Sequence, residues 1–161
     1  MPRRFTGGEF ERFMRGRHVA VLATVSEKGD PVLTPIWYLY RDGRFFMRTA
    51  QESAKARNMR RDPRASLCVQ DERPPYRSAT VYGRAALAQK DEGLGATIAR
   101  HYLGAVAGAA YARAAGDAVE QGEEVTIVLT PEKVVTQDFS AETPFVGRLW
   151  LKMKRVLPPW L

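Results

Sequence analysis

A chain of 161 residues with 45% hydrophobic content is long enough for one domain around one core, and residues 1–161 read as a single unit. No apolar run approaches the roughly 20 residues of a membrane-spanning helix. The start, from Met1 to Gly8, lacks the apolar stretch of a secretory signal, and the lone Cys68 excludes an internal disulfide, so the cytoplasm is the expected compartment. The net charge of +7 favours anionic partners, but there is no nucleic-acid recognition motif and no metal-ligand spacing, which leaves a polyanionic small molecule.

In chain order, residues 8–16 read as a short amphipathic helix with Phe10, Phe13 and Met14 on one side. His18 to Val25 is apolar on both faces, as in a strand buried inside a sheet. A turn over 27–31 leads to a second strand, Val32 to Tyr40. Asp42-Gly43 is a hairpin signal before a third strand, Arg44 to Thr49. Pro35 cannot donate to a ladder, so the second strand should be an edge or contain a break, with Ile36 and Trp37 directly after it.

A polar turn then gives way to a short basic helix, Ser53 to Arg61, stopped by Pro63. The unpaired N–H groups and positive dipole of a first helical turn make an anion site, and Ser53 and Lys55 add a hydroxyl and an ammonium there. That grouping points to a bound phosphate. Further strands are expected at 65–70 and 76–89, with Gly83 marking a bulge or close approach and Cys68 reading as a core thiol. Residues 91–116 read as two helices broken near Gly104, and 123–129 and 133–139 as two closing strands separated by Thr130-Pro131-Glu132. The fold class is α+β, mainly β: an antiparallel barrel with flanking helices.

The stretches Val19 to Val25, Gly29 to Tyr38 and Ser53 to Ser66, with Lys55, Asn58 and Asp62-Pro63 in fixed spacing, resemble the pyridoxamine 5′-phosphate oxidase-like split β-barrel superfamily. The likeness runs from about residue 9 to residue 139 and is nearest to the flavin and deazaflavin oxidoreductases that use coenzyme F420. It implies a homodimer with cofactor at the subunit interface. It also implies that Lys55 binds the phosphate with Thr49 and Ser53 as hydroxyl partners, and that Pro35, Ile36 and Trp37 line the ring. Arg57 is implied as a second charge for the phosphate, Asn58 as a brace between helix and strand, and Tyr76 and Arg77 as residues closing the partner's site.

The expected activity is hydride transfer from reduced deazaflavin to an unsaturated organic acceptor, with FMN as the alternative cofactor. The cofactor would carry the reactivity, which accounts for the absence of a triad or carboxylate pair in the sequence. Lys55 would serve the phosphate, while Arg57, Arg60, Arg61 and Arg73 would form a path for an acidic tail. The acceptor's proton would come from water, from a solvent-facing Tyr38, or from Tyr76 or Tyr82, and the acceptor pocket from residues 71–77 and 103–122. A different class of function is a carrier that binds flavin or haem without turnover; a haem reading wants an axial histidine, for which His18 and His101 are poorly placed. DNA binding by the arginines would show as a strongly salt-dependent affinity. The tail from about residue 140 to 161 mixes apolar and basic residues; packing on the barrel or across a dimer is expected ahead of contact with an anionic membrane.

Overall fold

The computed structural model of the chain describes residues 1–118 and 123–140. A short helix α1 (Glu9–Met14) precedes strands β1 (Ala20–Val25), β2 (Pro31–Ile36), β3 (Leu39–Arg41) and β4 (Arg44–Ala50). Helix α2 (Ala54–Arg61) leads to β5 (Arg64–Gln70) and the long β6 (Arg77–Gln89). Helices α3 (Leu94–Leu103) and α4 (Ala105–Ala118) then form a pair, and β7 (Glu124–Asp138) completes the sheet. The expected break between the helices falls at Gly104, whose φ of 84° suits glycine.

All neighbours in the seven-stranded sheet are antiparallel, in the order β2-β1-β5-β6-β7-β4-β3. β2 and β3 stand at opposite ends of that order, yet only Trp37 and Tyr38 separate them in the chain. Three Cα steps span at most about 11 Å, so the two edges must approach each other and the sheet curls. The result is a barrel split along the seam that Trp37 and Tyr38 cross. Pro35 sits on the β2 edge as its missing N–H requires, and the expected single strand over 32–40 is divided just beyond it. Asp42 and Gly43 both take positive φ, 52° and 73°, and pair Arg41 with Arg44 across a tight hairpin.

Alternation along the strands fills the interior with Leu22, Phe45, Met47, Leu67, Val69, Val81, Ile127 and Leu129, all fully buried. Phe13, Met14 and Met59 close the core from α1 and α2. Cys68 is not part of it: strand parity places the half-buried thiol on the outer face, beside Val21 and Thr80. Tyr38 departs from expectation the other way. It is 1% exposed and packs in the core, against its expected solvent-facing position.

The two closing strands expected around Pro131 are a single strand. A register shift between Tyr82 and Gly83 places Pro131 opposite Gly83, where a bulge needs no N–H from the proline. A Cβ on Gly83 would lie 2.1 Å from the Thr130 carbonyl oxygen, so glycine is what lets the strands meet there. The N-terminus is strapped to the same strand, Arg3 exchanging both backbone hydrogen bonds with Asp138 (3.1 and 2.8 Å). Residues 119–122 and the tail from 141 to 161, including its expected packing or membrane contact, lie outside the described residues.

Candidate functional site

α2 opens with a built N-terminus. Ser53 is extended (φ −66°, ψ 153°), and its Oγ accepts from the Ala56 N–H at 3.2 Å. Thr49 ends the buried face of β4, so the short turn after it returns Ser53 to within 2.9 Å of the Thr49 hydroxyl. Lys55 Nζ donates to Thr49 Oγ1 at 3.2 Å, and among the described residues it meets no carboxylate. Two hydroxyls and an ammonium are thus gathered at the positive end of a helix. The helix is held in place by Met59 in the core and by Asn58, whose Nδ2 donates to Thr24 Oγ1 at 3.1 Å. Asn58 is therefore the expected brace.

Trp37 supplies the facing wall. Its ring stacks on Tyr102 of α3, with centroids 4.8 Å apart and planes 6° apart, and Tyr111 of α4 lies 5.7 Å away at 53°. The Tyr102 hydroxyl donates to the His18 carbonyl at 2.7 Å and accepts from the Tyr38 N–H at 3.3 Å. Burial pushes this phenol up to about 12, so it retains the proton it donates. Tyr102 thus fixes the plane of Trp37 by tying α3 to the seam at Tyr38 and to the segment before β1 at His18.

Between these walls lies a cavity of about 460 Å³, within the range of small-molecule sites. Of the residues expected to hold a cofactor, Pro35, Ile36, Trp37 and Lys55 line it; Lys55 is hydrogen-bonded to Thr49, and Thr49 in turn to Ser53. Arg48, Gly95, Ile98, Ala99 and Glu124, of which the sequence had offered no sign, complete much of the wall, together with Tyr111 from the 103–122 segment expected to form the acceptor pocket. Arg48 lies in an aromatic strand where alternation alone reads as a surface charge, and Gly95 and Tyr111 come from helices distant in sequence.

Other expected residues are placed elsewhere. The Arg57 guanidinium donates to the Glu52 carbonyl, Arg60 lies 3.7 Å from the Glu52 carboxylate, and Arg61 donates to the Val25 carbonyl at 2.7 Å. Arg77 pairs with Asp71 at 2.8 Å and lies over the Phe13 ring, around a separate hollow near α1. Tyr76 and Tyr82 are exposed and line no part of the larger cavity. Burial pushes the Tyr38 hydroxyl far above the usual phenol range, and its oxygen has no hydrogen-bond partner among the described residues, so it is no proton source for the cavity.

His18 and His101 do not line the cavity either. His101 Nε2 meets the Gly16 carbonyl at 3.1 Å, and His18 packs on Phe13 with ring centroids 4.4 Å apart. Burial lowers the His18 pKa, outweighing the Asp71 carboxylate 3.7 Å away, so at neutral pH that contact is not an ion pair.

Residues 7–138 match the pyridoxamine 5′-phosphate oxidase family. The chain belongs to that family. Its fold is similar to that of a conserved hypothetical protein from Mycobacterium tuberculosis, at 24% identity and a TM-score of 0.73, covering 87% of this chain and 89% of that one. An F420 reductase matches at 21% identity and a TM-score of 0.63, with 81% and 98% covered. An FAD-binding protein from Mesorhizobium loti matches at 21% and 0.61, with 86% and 98% covered. At these identities the likeness shows the shared split barrel.

The cavity's described lining holds an ammonium, a guanidinium, one carboxylate and one free phenol, and no thiol or imidazole. These groups can bind and orient an anionic aromatic molecule. The residues fit a phosphorylated flavin-type cofactor: an uncompensated Lys55 beside two hydroxyls for a phosphate, and an indole held flat at the seam for a ring.

Proposed function

We propose that the chain binds coenzyme F420 in this cavity and acts as an oxidoreductase that passes a hydride to an unsaturated organic acceptor. The observation that carries this reading is the joining of Lys55, Thr49 and Ser53 at the start of α2 to a cavity whose other wall is Trp37. Lys55 and the two hydroxyls would hold the phosphate. Pro35, Ile36 and Trp37 would orient the ring, with Tyr102 keeping the indole plane fixed. Ile98 and Ala99 of α3 present an apolar wall that limits water. Bound in its reduced form, the deazaflavin would supply the hydride. The Tyr111 phenol lines the cavity and is half exposed, so it can pass a proton between solvent and an acceptor lying there.

FMN is the second reading. One phosphate would satisfy Lys55 and its hydroxyls, and the family and an FAD-binding relative of the fold support a flavin. A carrier of haem is less well supported, because neither histidine lines the cavity.

The proposal includes a second copy of the chain. Register places Leu33, Pro35, Val21, Cys68, Thr80, Tyr82 and Val135 on one outer face of the sheet, and Leu33 is 65% exposed. Exposed apolar surface of this kind marks an interaction site. Val19 and Pro35 belong both to the cavity and to this side of the molecule, so a partner seated on the face would complete the cavity's wall. The exposed Tyr76, and Arg77 paired with Asp71, would then approach the partner's cofactor.

The test is a titration of the protein with oxidised F420 and, separately, with FMN, followed by fluorescence. Tight F420 binding and weaker FMN binding support the deazaflavin assignment. Tight FMN binding alone reassigns the cofactor, and binding of neither removes the oxidoreductase reading.

A further inference from the structure

Arg48 is the charged group of the cavity that phosphate and ring binding leave without a task. Its guanidinium lines the same space as Lys55 and Trp37. Nη2 donates to the Glu124 carboxylate on β7, while Nε is buried and meets no acceptor among the described residues. The group lies against the backbone of Gly95: a Cβ there would fall 1.8 Å from Nη1 and 2.4 Å from Cζ. Any side chain at 95 would therefore displace the guanidinium. Gly95 is the second residue of α3, and its missing Cβ is what leaves room for the guanidinium.

A positive side chain at the first turn of a helix also opposes the helix dipole. With one N–H buried and unpartnered, the arrangement contributes little to stability by itself. It suits an oxygen-rich group entering from the cavity, because a guanidinium has five N–H donors and Glu124 engages only one of its three nitrogens.

Resting on the cofactor reading above, we propose that Arg48, positioned by Glu124 and Gly95, is a second anion-recognising residue of the cavity. It selects ligands that carry an acidic group in addition to the one met at Lys55. A deazaflavin with a phosphodiester and carboxylates has such a group; FMN, with one phosphate, does not. The arginines of α2, engaged with Glu52 and Val25, are less suited to this role than Arg48.

The test compares dissociation constants of oxidised F420, FMN and riboflavin for the unaltered protein and for Arg48→Met, Arg48→Lys and Gly95→Ala, at low and high salt. Circular dichroism and thermal midpoints confirm that each variant compared is folded. The expected result at low salt is a loss of about tenfold or more for F420 in Arg48→Met, with FMN and riboflavin little changed. Arg48→Lys should lie between, and Gly95→Ala should reproduce the loss without touching the charge. Equal losses for all three ligands, or none for F420, would overturn the proposal. If the unaltered protein binds none of the three, the cofactor reading itself fails and takes this inference with it.

Discussion

Replacing Lys55 with alanine removes an ammonium whose hydrogen-bond partner among the described residues is the Thr49 hydroxyl. Little of the fold depends on it. The expected outcome is a loss of about 1.5–3 kcal/mol in affinity for a phosphorylated cofactor, with the thermal midpoint nearly unchanged, read by titration and by melting. Unaltered affinity would take Lys55 out of the site. His18 makes a prediction about pH instead. Burial sets its folded pKa below the ordinary value of about 6.5, so on acidification the unfolded chain takes up the proton first. The stability this neutral imidazole allows is present above that value and is lost as the pH falls through it towards the folded pKa. Melting His18→Gln beside the unaltered protein from neutral to mildly acidic pH should give the variant the shallower decline. Parallel declines would mean that His18 is not the residue responsible.

Elements with local signals were legible in the sequence. Asp42-Gly43 fixed a hairpin through positive φ, Ser53 capped α2, and Gly104 parted α3 from α4. The grouping of Thr49, Ser53 and Lys55 is equally local, because the three are held within one turn and one helix start. What depended on distant partners was not legible. Pro131 reads as a strand break until Gly83 is set opposite it; the bulge belongs to the pair. Arg48 reads as a surface charge until Gly95 and Glu124 are brought against it. Tyr38 is expected to face solvent, but it follows Thr34 and Ile36 on the face set against Leu22 and Ala20 and packs in the core. Gly83→Ala tests the bulge. Its new methyl would meet the Thr130 backbone, so stability should fall by about 1–3 kcal/mol in denaturant unfolding. An unchanged midpoint would show that β7 can shift to admit it.

For the molecule as a whole, the curled sheet leaves two unlike surfaces. Helices α3 and α4 cover the side carrying Phe46 and Trp37, and the opposite outer face keeps Leu33, Tyr82 and Val135 exposed. If a second copy covers that face, Leu33→Asp should shift the protein from dimer to monomer in sedimentation velocity and weaken cofactor binding together with it. A monomeric unaltered protein that still binds cofactor tightly would mean that one chain suffices for the site. Among the described residues no helix is long and apolar enough to cross a membrane.

One cavity joins the start of α2 to the seam at Trp37, and its proposed occupant is a phosphorylated flavin-type cofactor. A crystal structure of the protein soaked with the tighter binder of F420 and FMN tests this. Phosphate density is expected within hydrogen-bond reach of Lys55 Nζ and the Ser53 and Thr49 hydroxyls, with the ring beside Trp37. Ordered cofactor elsewhere, with Lys55 still bonded to Thr49 alone, would contradict it.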